Sequence, residues 1–293
     1  MTDDKYLKAE NALRQWGFTK TETAERFSPD SPRIIHKVTA DNEQYIIKGI
    51  PDTKPESVIK GNLAAHRYLG SRELAPRVFA ASDGRYYVKE GGYWFFLMEF
   101  IDGEPMKATP ENEYLLGQLA KRIHSFGDYD CPSGLNDDKS RFYGWFPDKS
   151  FKAEFDALLD SLPDFGRLDR CFIHTDLGPR NAMIASDGRP VLIDLDDAGN
   201  GSRFLDLGWA FIMQFTEHDE EMHMSYRFDL AKAFLDGYYG TDVPRSEYDL
   251  IWQGAVFMHI SYMKCYGEDA VEPLWAILKY GLEQKERLWE LIK

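Results

Sequence analysis

Residues 171–197 read CFIHTDLGPRNAMIASDGRPVLIDLDD, and this stretch decides how the rest of the chain is interpreted. Two apolar runs flank a Ser-Asp-Gly turn at residues 186–188, which predicts two short strands joined as a hairpin. The hairpin would bring the oxygen-bearing side chains of Asp176, Asn181 and Asp194 towards one end. Two carboxylates and an amide oxygen suit Mg²⁺, which completes its coordination shell with water and phosphate oxygens.

The same three side chains suit phosphoryl transfer from ATP. That reaction needs a metal ion on the phosphates and a carboxylate that orients and deprotonates the attacking hydroxyl. We therefore predict Asp176 as the catalytic base, with Asn181 and Asp194 as the ligands of Mg²⁺.

The motif HTDLGPRN followed by IDLDD resembles the catalytic loop and metal-binding aspartate of protein kinases. It departs from them at Thr175, at Gly178 and at Leu195-Asp196, where protein kinases carry Arg, Lys and Phe-Gly. With these departures the chain is similar to the aminoglycoside phosphotransferase and choline kinase family, in which H-x-D-x-x-x-x-N precedes I-D-x-x-D/E. A protein kinase is further disfavoured because no Ala-Pro-Glu segment follows the metal-binding aspartate.

This resemblance implies an α+β, two-lobed protein-kinase-like fold. Residues 1–101 would form an antiparallel-sheet lobe that binds nucleotide and ends in a hinge. Residues 102–293 would form a mostly helical lobe for catalysis and substrate binding. Hydrophobic periodicity predicts the individual elements. Strands are predicted over residues 21–27, 33–39, 43–50, 76–81, 86–90 and 93–100, and helices over 3–17, 55–69, 112–124, 151–162, 207–215, 222–238, 248–266 and 271–292.

The resemblance also implies which residues contact the ATP phosphates. Lys48, in QYIIKGI, corresponds to the strand lysine whose compact ammonium bridges phosphate oxygens. The turn over the phosphates would be SPDSP, with Ser28 and Ser31 as candidates in place of a glycine-rich loop; a plain surface turn is the alternative. Relatives hold the lysine with a helix Glu, and the matching position here is Asn62.

The segment WFFLMEFIDGEP, residues 94–105, resembles the hinge of the family. Met98 would lie at the back of the adenine pocket, and the carbonyl of Glu99 and the amide of Ile101 would pair with adenine. The alternative is an apolar core strand followed by a turn. The segment GSRFLDLGWA is similar to one whose aspartate braces the catalytic loop, which implies supporting roles for Asp206 and His174.

Composition limits the class of protein. The chain of 293 residues is 43% hydrophobic, which favours a folded globular protein. Its 35 basic and 49 acidic residues give a net charge of −14, which disfavours nucleic acid as a partner and attracts cations. No apolar run is long enough to span a membrane, and the first residues lack the pattern of an export signal. Three cysteines without CxxC spacing predict neither a disulfide framework nor a zinc site and fit a cytoplasmic location.

The predicted activity is ATP- and Mg²⁺-dependent O-phosphorylation of a small-molecule hydroxyl. Aminoglycoside-like acceptors come first, with choline, ethanolamine, homoserine and sugar-like metabolites as alternatives. The acidic residues Asp197, Glu217 and Glu220 could gather an amine-bearing substrate. A nucleotide-binding scaffold of the pseudokinase type is a further alternative, because a glycine-rich turn and the helix Glu are both missing. The sequence leaves the oligomeric state open.

Overall fold

The computed structural model describes residues 2–27, 31–127, 129–146, 148–266 and 268–293. It divides into two compact units: Met1–Glu104 with Met183–Asp196, and Pro105–Ala182 with Asp197–Lys293. The lobe boundary predicted after residue 101 stays a prediction.

The first unit is built on an antiparallel sheet with a helix at each face. Its strand order is β1-β2-β3-β6-β4, and β5 pairs with β6. Side chains alternate across β6, because successive residues of a strand point to opposite faces. Phe95 and Leu97 pack in a core with α1, whereas Phe96 and Met98 pack in a second core with α2. The elements are α1 (Thr2–Leu13), β1 (Thr21–Phe27), β2 (Ile34–Ala40), β3 (Glu43–Pro51), α2 (Glu56–Gly70), β4 (Val78–Phe79), β5 (Val88–Glu90) and β6 (Tyr93–Glu99).

The hairpin predicted from residues 171–197 is present. Its strands are β9 (Ala182–Ala185) and β10 (Pro190–Leu192), and β9 also pairs with β7 (Gly103–Pro105). Gly188 takes the left-handed conformation at the turn, with φ of 85°. Ala185 and Val191 pack against Ile101 in a small apolar cluster, which fixes the backbone that leads to Asp194.

The second unit is mostly helical. Thr109 caps α3 by accepting a hydrogen bond from the backbone of Asn112, and Pro110 fills the first helical position. Helix α5 lies close to α7, since a Cβ on Gly254 would stand 1.9 Å from the carbonyl oxygen of Phe204. The helices are α3 (Pro110–His124), α4 (Lys152–Ser161), α5 (Arg203–Met213), α6 (Phe228–Tyr239), α7 (Arg245–Cys265), α8 (Glu268–Glu283) and α9 (Lys285–Ile292). The unit also contains two antiparallel strand pairs: β8 (Arg170–Ile173) with β11 (Gly199–Ser202), and β12 (Thr216–His218) with β13 (Met224–Tyr226).

Two of the predicted helices differ most from the observed ones. The helix predicted over residues 222–238 begins only at Phe228, because residues 224–226 pair with β12. The carboxylate of Asp219 accepts hydrogen bonds from the backbone of Glu221 and His223, which stabilises the turn between these strands. The helix predicted over residues 271–292 is interrupted at Gln284, between α8 and α9.

The α+β class is confirmed, with the antiparallel sheet in the N-terminal region and helices dominating the C-terminal part. Among the residues that the structure describes, no helix combines the length and the apolar character needed to cross a membrane.

Candidate functional site

Lys48 lies buried on β3, and its ammonium contacts two carboxylates. Nζ donates to Oδ1 of Asp196 at 2.6 Å and to Oδ1 of Asp194 at 2.8 Å. The second oxygen of Asp196 lies 2.8 Å from Nη2 of Arg33. A lysine side chain that is only 4% exposed needs such partners, because an unpaired charge is costly to bury. The anchor of Lys48 is therefore an aspartate that follows β10.

Asn62 occupies the helix position at which the family resemblance predicts a Glu. With its amide oriented so that both polar atoms are satisfied, the nitrogen donates to the backbone carbonyl of Asp196 and to that of Val58 at 3.0 Å. Asn62 thus holds the main chain of the residue whose carboxylate holds Lys48. Sequence reasoning located Asn62 but missed Asp196, because residues 48 and 196 meet only in the folded chain.

Asp194 has an uncommon backbone conformation, with φ of 57°. Its side chain is 40% exposed, and its second oxygen lies 3.6 Å from Nη1 of Arg33. The carboxylate therefore combines access to solvent with a cationic neighbour on each oxygen. Such strained, exposed carboxylates cluster at ligand-binding sites.

In the second unit, the loop after β8 begins with a strained residue that a buried carboxylate holds in place. Thr175 has φ of 76°, which is rare for a β-branched side chain. Its N–H donates to Oδ1 of Asp206 at 2.5 Å, and the N–H of His174 donates to Oδ2 at 2.7 Å. His124 Nε2 lies 3.1 Å from the same Oδ2. These contacts are what a supporting role for Asp206 requires.

Asp176 and Asn181 lie on this loop. The Asp176 carboxylate is 42% exposed and lies 3.4 Å from Nη2 of Arg180, while its N–H donates to Nδ1 of His174 at 3.4 Å. Asn181 donates from Nδ2 to the carbonyl of Asp176 at 2.8 Å. This bond fixes the amide and leaves the Asn181 side-chain oxygen as an acceptor.

The side chains of Asn181, in the second unit, and of Asp194, in the first, each suit a hard cation. Asn181 and Asp194 offer oxygen atoms, which Mg²⁺ prefers. In the described part of the chain, no three His, Cys, Asp or Glu side chains are grouped so as to hold a metal ion. The roles of Asn181 and Asp194 as ligands of Mg²⁺ stay predictions.

Gly178 stands where protein kinases carry the catalytic-loop lysine, and packing explains the absence of a side chain. A Cβ at this position would lie 2.3 Å from Nε2 of Gln214. That nitrogen donates to the carbonyl of Leu177 at 2.6 Å. Gln214, which directly follows α5, therefore holds the loop through its side chain. No motif in the sequence pointed to this role.

A cavity of about 530 Å³ adjoins the loop within the second unit. Pro179 and Arg180 line it, and Arg180 also lies beside Asp176. Tyr262 forms another part of the wall; burial, together with a hydrogen bond to Tyr266, raises its pKa to about 12. The negative charge of Asp176 contributes to this rise. The cavity wall thus includes a residue, Arg180, that contacts the carboxylate we predict as the base.

Glu113, in the first turn of α3, is part of the same wall. It is 1% exposed, and neither carboxylate oxygen has a hydrogen-bond partner among the described residues. Burial raises its pKa to about 8. No sequence prediction included Glu113. The sequence does mark Glu113 as unusual, because it is a charged residue on the apolar face of a helix, three positions before Leu116 and seven before Ala120.

The predicted nucleotide contacts are placed as follows. Ser28 lies outside the described residues, whereas the Oγ of Ser31 accepts a hydrogen bond from the backbone of Arg33 at 3.1 Å. Met98 is buried, and Ile101 packs on the hairpin. The backbone N–H of Glu99 donates to the carbonyl of Arg77 at 2.8 Å, and the two side chains form an ion pair.

The three acidic residues predicted to gather substrate lie away from the cavity wall. Glu217 is bound by Arg227 at 3.0 Å and alternates on β12 with the wall residues Thr216 and His218, so its side chain points to the other face. The backbone carbonyl of Asp197 accepts a hydrogen bond from Gly134, and Glu220 is exposed. Their roles stay predictions.

The chain belongs to the phosphotransferase enzyme family, whose model matches residues 31–243. The predicted family and the predicted class of enzyme, a phosphotransferase, are thereby confirmed. The family was recognisable from the sequence because HTDLGPRN, IDLDD and the later Asp206 segment all fall within the matched range.

Solved structures share the fold across nearly the whole chain. A microcompartment-associated aminopropanol kinase is 18% identical, with a TM-score of 0.69 over 98% of this chain and 99% of that one. A choline kinase from Cryptosporidium parvum is 16% identical, with a TM-score of 0.59 over 92% and 90% of the two chains. An aminoglycoside phosphotransferase from Alicyclobacillus acidocaldarius is 15% identical, with a TM-score of 0.59 over 97% and 94%. The predicted protein-kinase-like fold is confirmed.

Proposed function

We propose that the protein transfers the γ-phosphoryl group of ATP to a hydroxyl of a small molecule. The observation that carries this proposal is the cavity of about 530 Å³ beside Asp176, in a member of a phosphotransferase family. A cavity of this size holds a small molecule, and the carboxylate of Asp176, 42% exposed, contacts the wall residue Arg180.

Asp176 is the proposed base. It accepts the proton of the acceptor hydroxyl as that oxygen forms a bond to the γ-phosphorus and the bond to the β–γ bridging oxygen breaks, which releases ADP. The loop that carries Asp176 starts from the strained Thr175, and Asp206 and Gln214 hold it rigid through backbone contacts. Such rigidity keeps the base in position, on which rate depends strongly.

Lys48 is proposed to bind the ATP phosphates, positioned by Asp196. Asn181 and Asp194 would hold Mg²⁺, which when bound neutralises charge on the phosphates. The joint action of these two residues is inferred from the order of the motifs along the chain. We propose that the backbone of Glu99 and Ile101 pairs with adenine and that Met98 lies at the back of the adenine pocket. Ser28 and Ser31 are proposed to contact the phosphates. These assignments come from the family resemblance.

The acceptor class is proposed from the net charge of −14 and from the kinds of kinase that share the fold, which act on aminoglycosides, choline and aminopropanol. An amine-bearing alcohol fits all of these observations. We also propose a cytoplasmic location, because the three cysteines are free thiols.

The test is coupled ADP release with ATP, Mg²⁺ and a panel of acceptors: amino alcohols, choline, homoserine, sugars and aminoglycosides. Release that requires both an acceptor and Mg²⁺, and that Asp176→Asn abolishes, would establish the activity. ATP binding by thermal shift without acceptor-dependent ADP release anywhere in the panel would contradict the proposal and support a nucleotide-binding scaffold.

A further inference from the structure

We propose that Glu113, Gln214 and Thr216 bind a primary ammonium group of the acceptor, so that the enzyme phosphorylates a small alcohol carrying a primary amine. This inference rests on the proposed function and deepens it. It names the chemistry of the group that the cavity recognises, and it assigns that recognition to residues outside the sequence motifs.

The first support is the state of Glu113. Glu113 is 1% exposed and has no hydrogen-bond partner in the described part of the chain, so its ionised form is costly and burial raises its pKa to about 8 while the cavity is empty. The nearby cation Arg227 is already engaged by Glu217 and Asp229. An ammonium ion in the cavity would supply both the opposite charge and the missing donors.

The second support is that the cavity wall carries further unused acceptors. The side-chain oxygens of Gln214 and Thr216 are buried and also have no partner among the described residues. The Gln214 amide is oriented by the bond from Nε2 to the carbonyl of Leu177 at 2.6 Å, and its Oε1 remains an acceptor without a partner among the described residues.

The number and type of these groups select the kind of amine. A primary ammonium has three N–H donors, which match a carboxylate, an amide oxygen and a hydroxyl. A quaternary ammonium has no N–H and is recognised by aromatic faces. Because the wall supplies three oxygen acceptors from Glu113, Gln214 and Thr216, it favours a primary amine over choline.

The third support is the position of the cavity relative to Asp176. Pro179 and Arg180 line the cavity and belong to the loop of the proposed base. The guanidinium of Arg180 faces the carboxylate of Asp176 at 3.4 Å and lies over the ring of Trp209 at 5.9 Å. An acceptor held by its amine at Glu113 would therefore lie in a cavity whose wall includes Arg180, the residue that contacts the proposed base.

Binding to the full chain tests the inference without requiring turnover. Calorimetry would measure the affinity of ethanolamine, 1-amino-2-propanol and glucosamine, with choline and 1,2-propanediol as comparators. The variant is Glu113→Gln, which keeps the shape but removes the charge. The matched control is Glu111→Gln, an exposed acidic residue in the same helical turn. Thermal unfolding confirms that both variants are folded.

We expect at least one primary amine to bind, and Glu113→Gln to weaken it at least about thirtyfold, as for a truncated buried charge pair. Glu111→Gln should leave that affinity within about twofold, in line with exposed pairs. Choline and 1,2-propanediol should bind more weakly than the primary amines and show no dependence on Glu113. Thr216→Val should weaken the primary amine about fivefold, the loss of one hydrogen bond.

The inference would be overturned if no primary amine binds, if choline binds as tightly as the best primary amine, or if Glu113→Gln leaves the affinity unchanged. A failure of this inference can be distinguished from a failure of the proposed function. Asp176-dependent phosphorylation of an acceptor without an amine would sink this inference and leave the activity standing. Glu113-dependent amine binding without ADP release would do the reverse.

Discussion

The ammonium of Lys48 and the carboxylate of Asp196 form a buried ion pair with 2.6 Å between Nζ and Oδ1. The helix position to which the family resemblance assigns a Glu is Asn62 here, and its amide holds the backbone of Asp196. Lys48 is therefore held by a residue that follows strand β10, and not by a carboxylate on helix α2. That arrangement leads to the first prediction.

Asp196→Asn should raise the KM for ATP about tenfold or more, because Lys48 loses its anchor and a charge-assisted hydrogen bond of about 1.5–3 kcal/mol. The KM for the acceptor should change much less. Steady-state kinetics with both substrates varied would measure the effect. Asp187→Asn is the control, since Asp187 is an exposed turn residue paired with Arg189. Equal KM values for ATP in wild type and Asp196→Asn would show that Asp196 does not position Lys48.

Asp206→Ala should lower the free energy of unfolding by about 3 kcal/mol, because it leaves two buried backbone N–H groups without their acceptor. The strained conformation of Thr175 would also lose its support. Urea denaturation measures the change. Asp236→Ala removes only a partly exposed pair with Lys232 and should cost less than about 1 kcal/mol. Similar losses in the two variants would contradict the role assigned to Asp206.

Gly178→Ala should destabilise the loop, because the new Cβ would overlap Nε2 of Gln214 at 2.3 Å. The cost should shrink in a Gln214→Ala background, which removes the opposing atom. A double-mutant cycle of unfolding free energies measures this coupling, expected at about 1 kcal/mol or more. Gly61→Ala is the control, as no atom lies within 4 Å of its Cβ position. Additive costs at positions 178 and 214 would rule out the proposed packing conflict.

The raised pKa of Glu113 should make stability fall as pH rises. Its pKa is about 8 in the folded protein against an ordinary value of 4.5. Between these values the folded state keeps a proton that the unfolded chain has lost, so the free energy of unfolding decreases through this window. Arg227 limits the rise in pKa, and Arg180, His218 and Tyr262 are the other titratable groups of the cavity wall.

Glu113→Gln should remove this slope, so that the variant gains on wild type between about pH 5 and about pH 8.5 by on the order of 4 kcal/mol. Urea denaturation at the two pH values gives the comparison. Glu111→Gln should follow wild type at both. Parallel pH profiles for wild type and Glu113→Gln would mean that Glu113 titrates in its ordinary range.

Most of the fold followed from the sequence, since local signals determine it. The period of two over residues 21–50 and the Ser-Asp-Gly turn before β10 depend on neighbouring residues alone. The helix predicted over residues 222–238 failed because β13 forms only by pairing with β12, a contact that the apolar pattern does not encode. Strand pairing of this kind depends on tertiary context.

The residues of the candidate site also divide into those that a sequence motif contains and those whose contacts arise only in the folded chain. Asp176, Asn181 and Asp194 could be proposed from the sequence because the spacing of one motif contains them; their roles stay predictions. Asp196 and Gln214 could not, because their partners Lys48 and Leu177 are reached only through the folded chain. A buried ionic or amide contact leaves no periodic signal in the sequence, whereas a catalytic loop does.

The most direct test of the central claim is ³¹P NMR of a reaction containing ATP, Mg²⁺ and a primary amino alcohol such as 1-amino-2-propanol. We predict a new phosphomonoester resonance on the acceptor with stoichiometric ADP. Asp176→Asn should slow its appearance at least about a hundredfold, the low end for loss of a general base, while ATP binding is retained. A phosphomonoester formed at the wild-type rate by Asp176→Asn would contradict the assignment of the base. The absence of any phosphorylated acceptor across the full panel would contradict the activity itself.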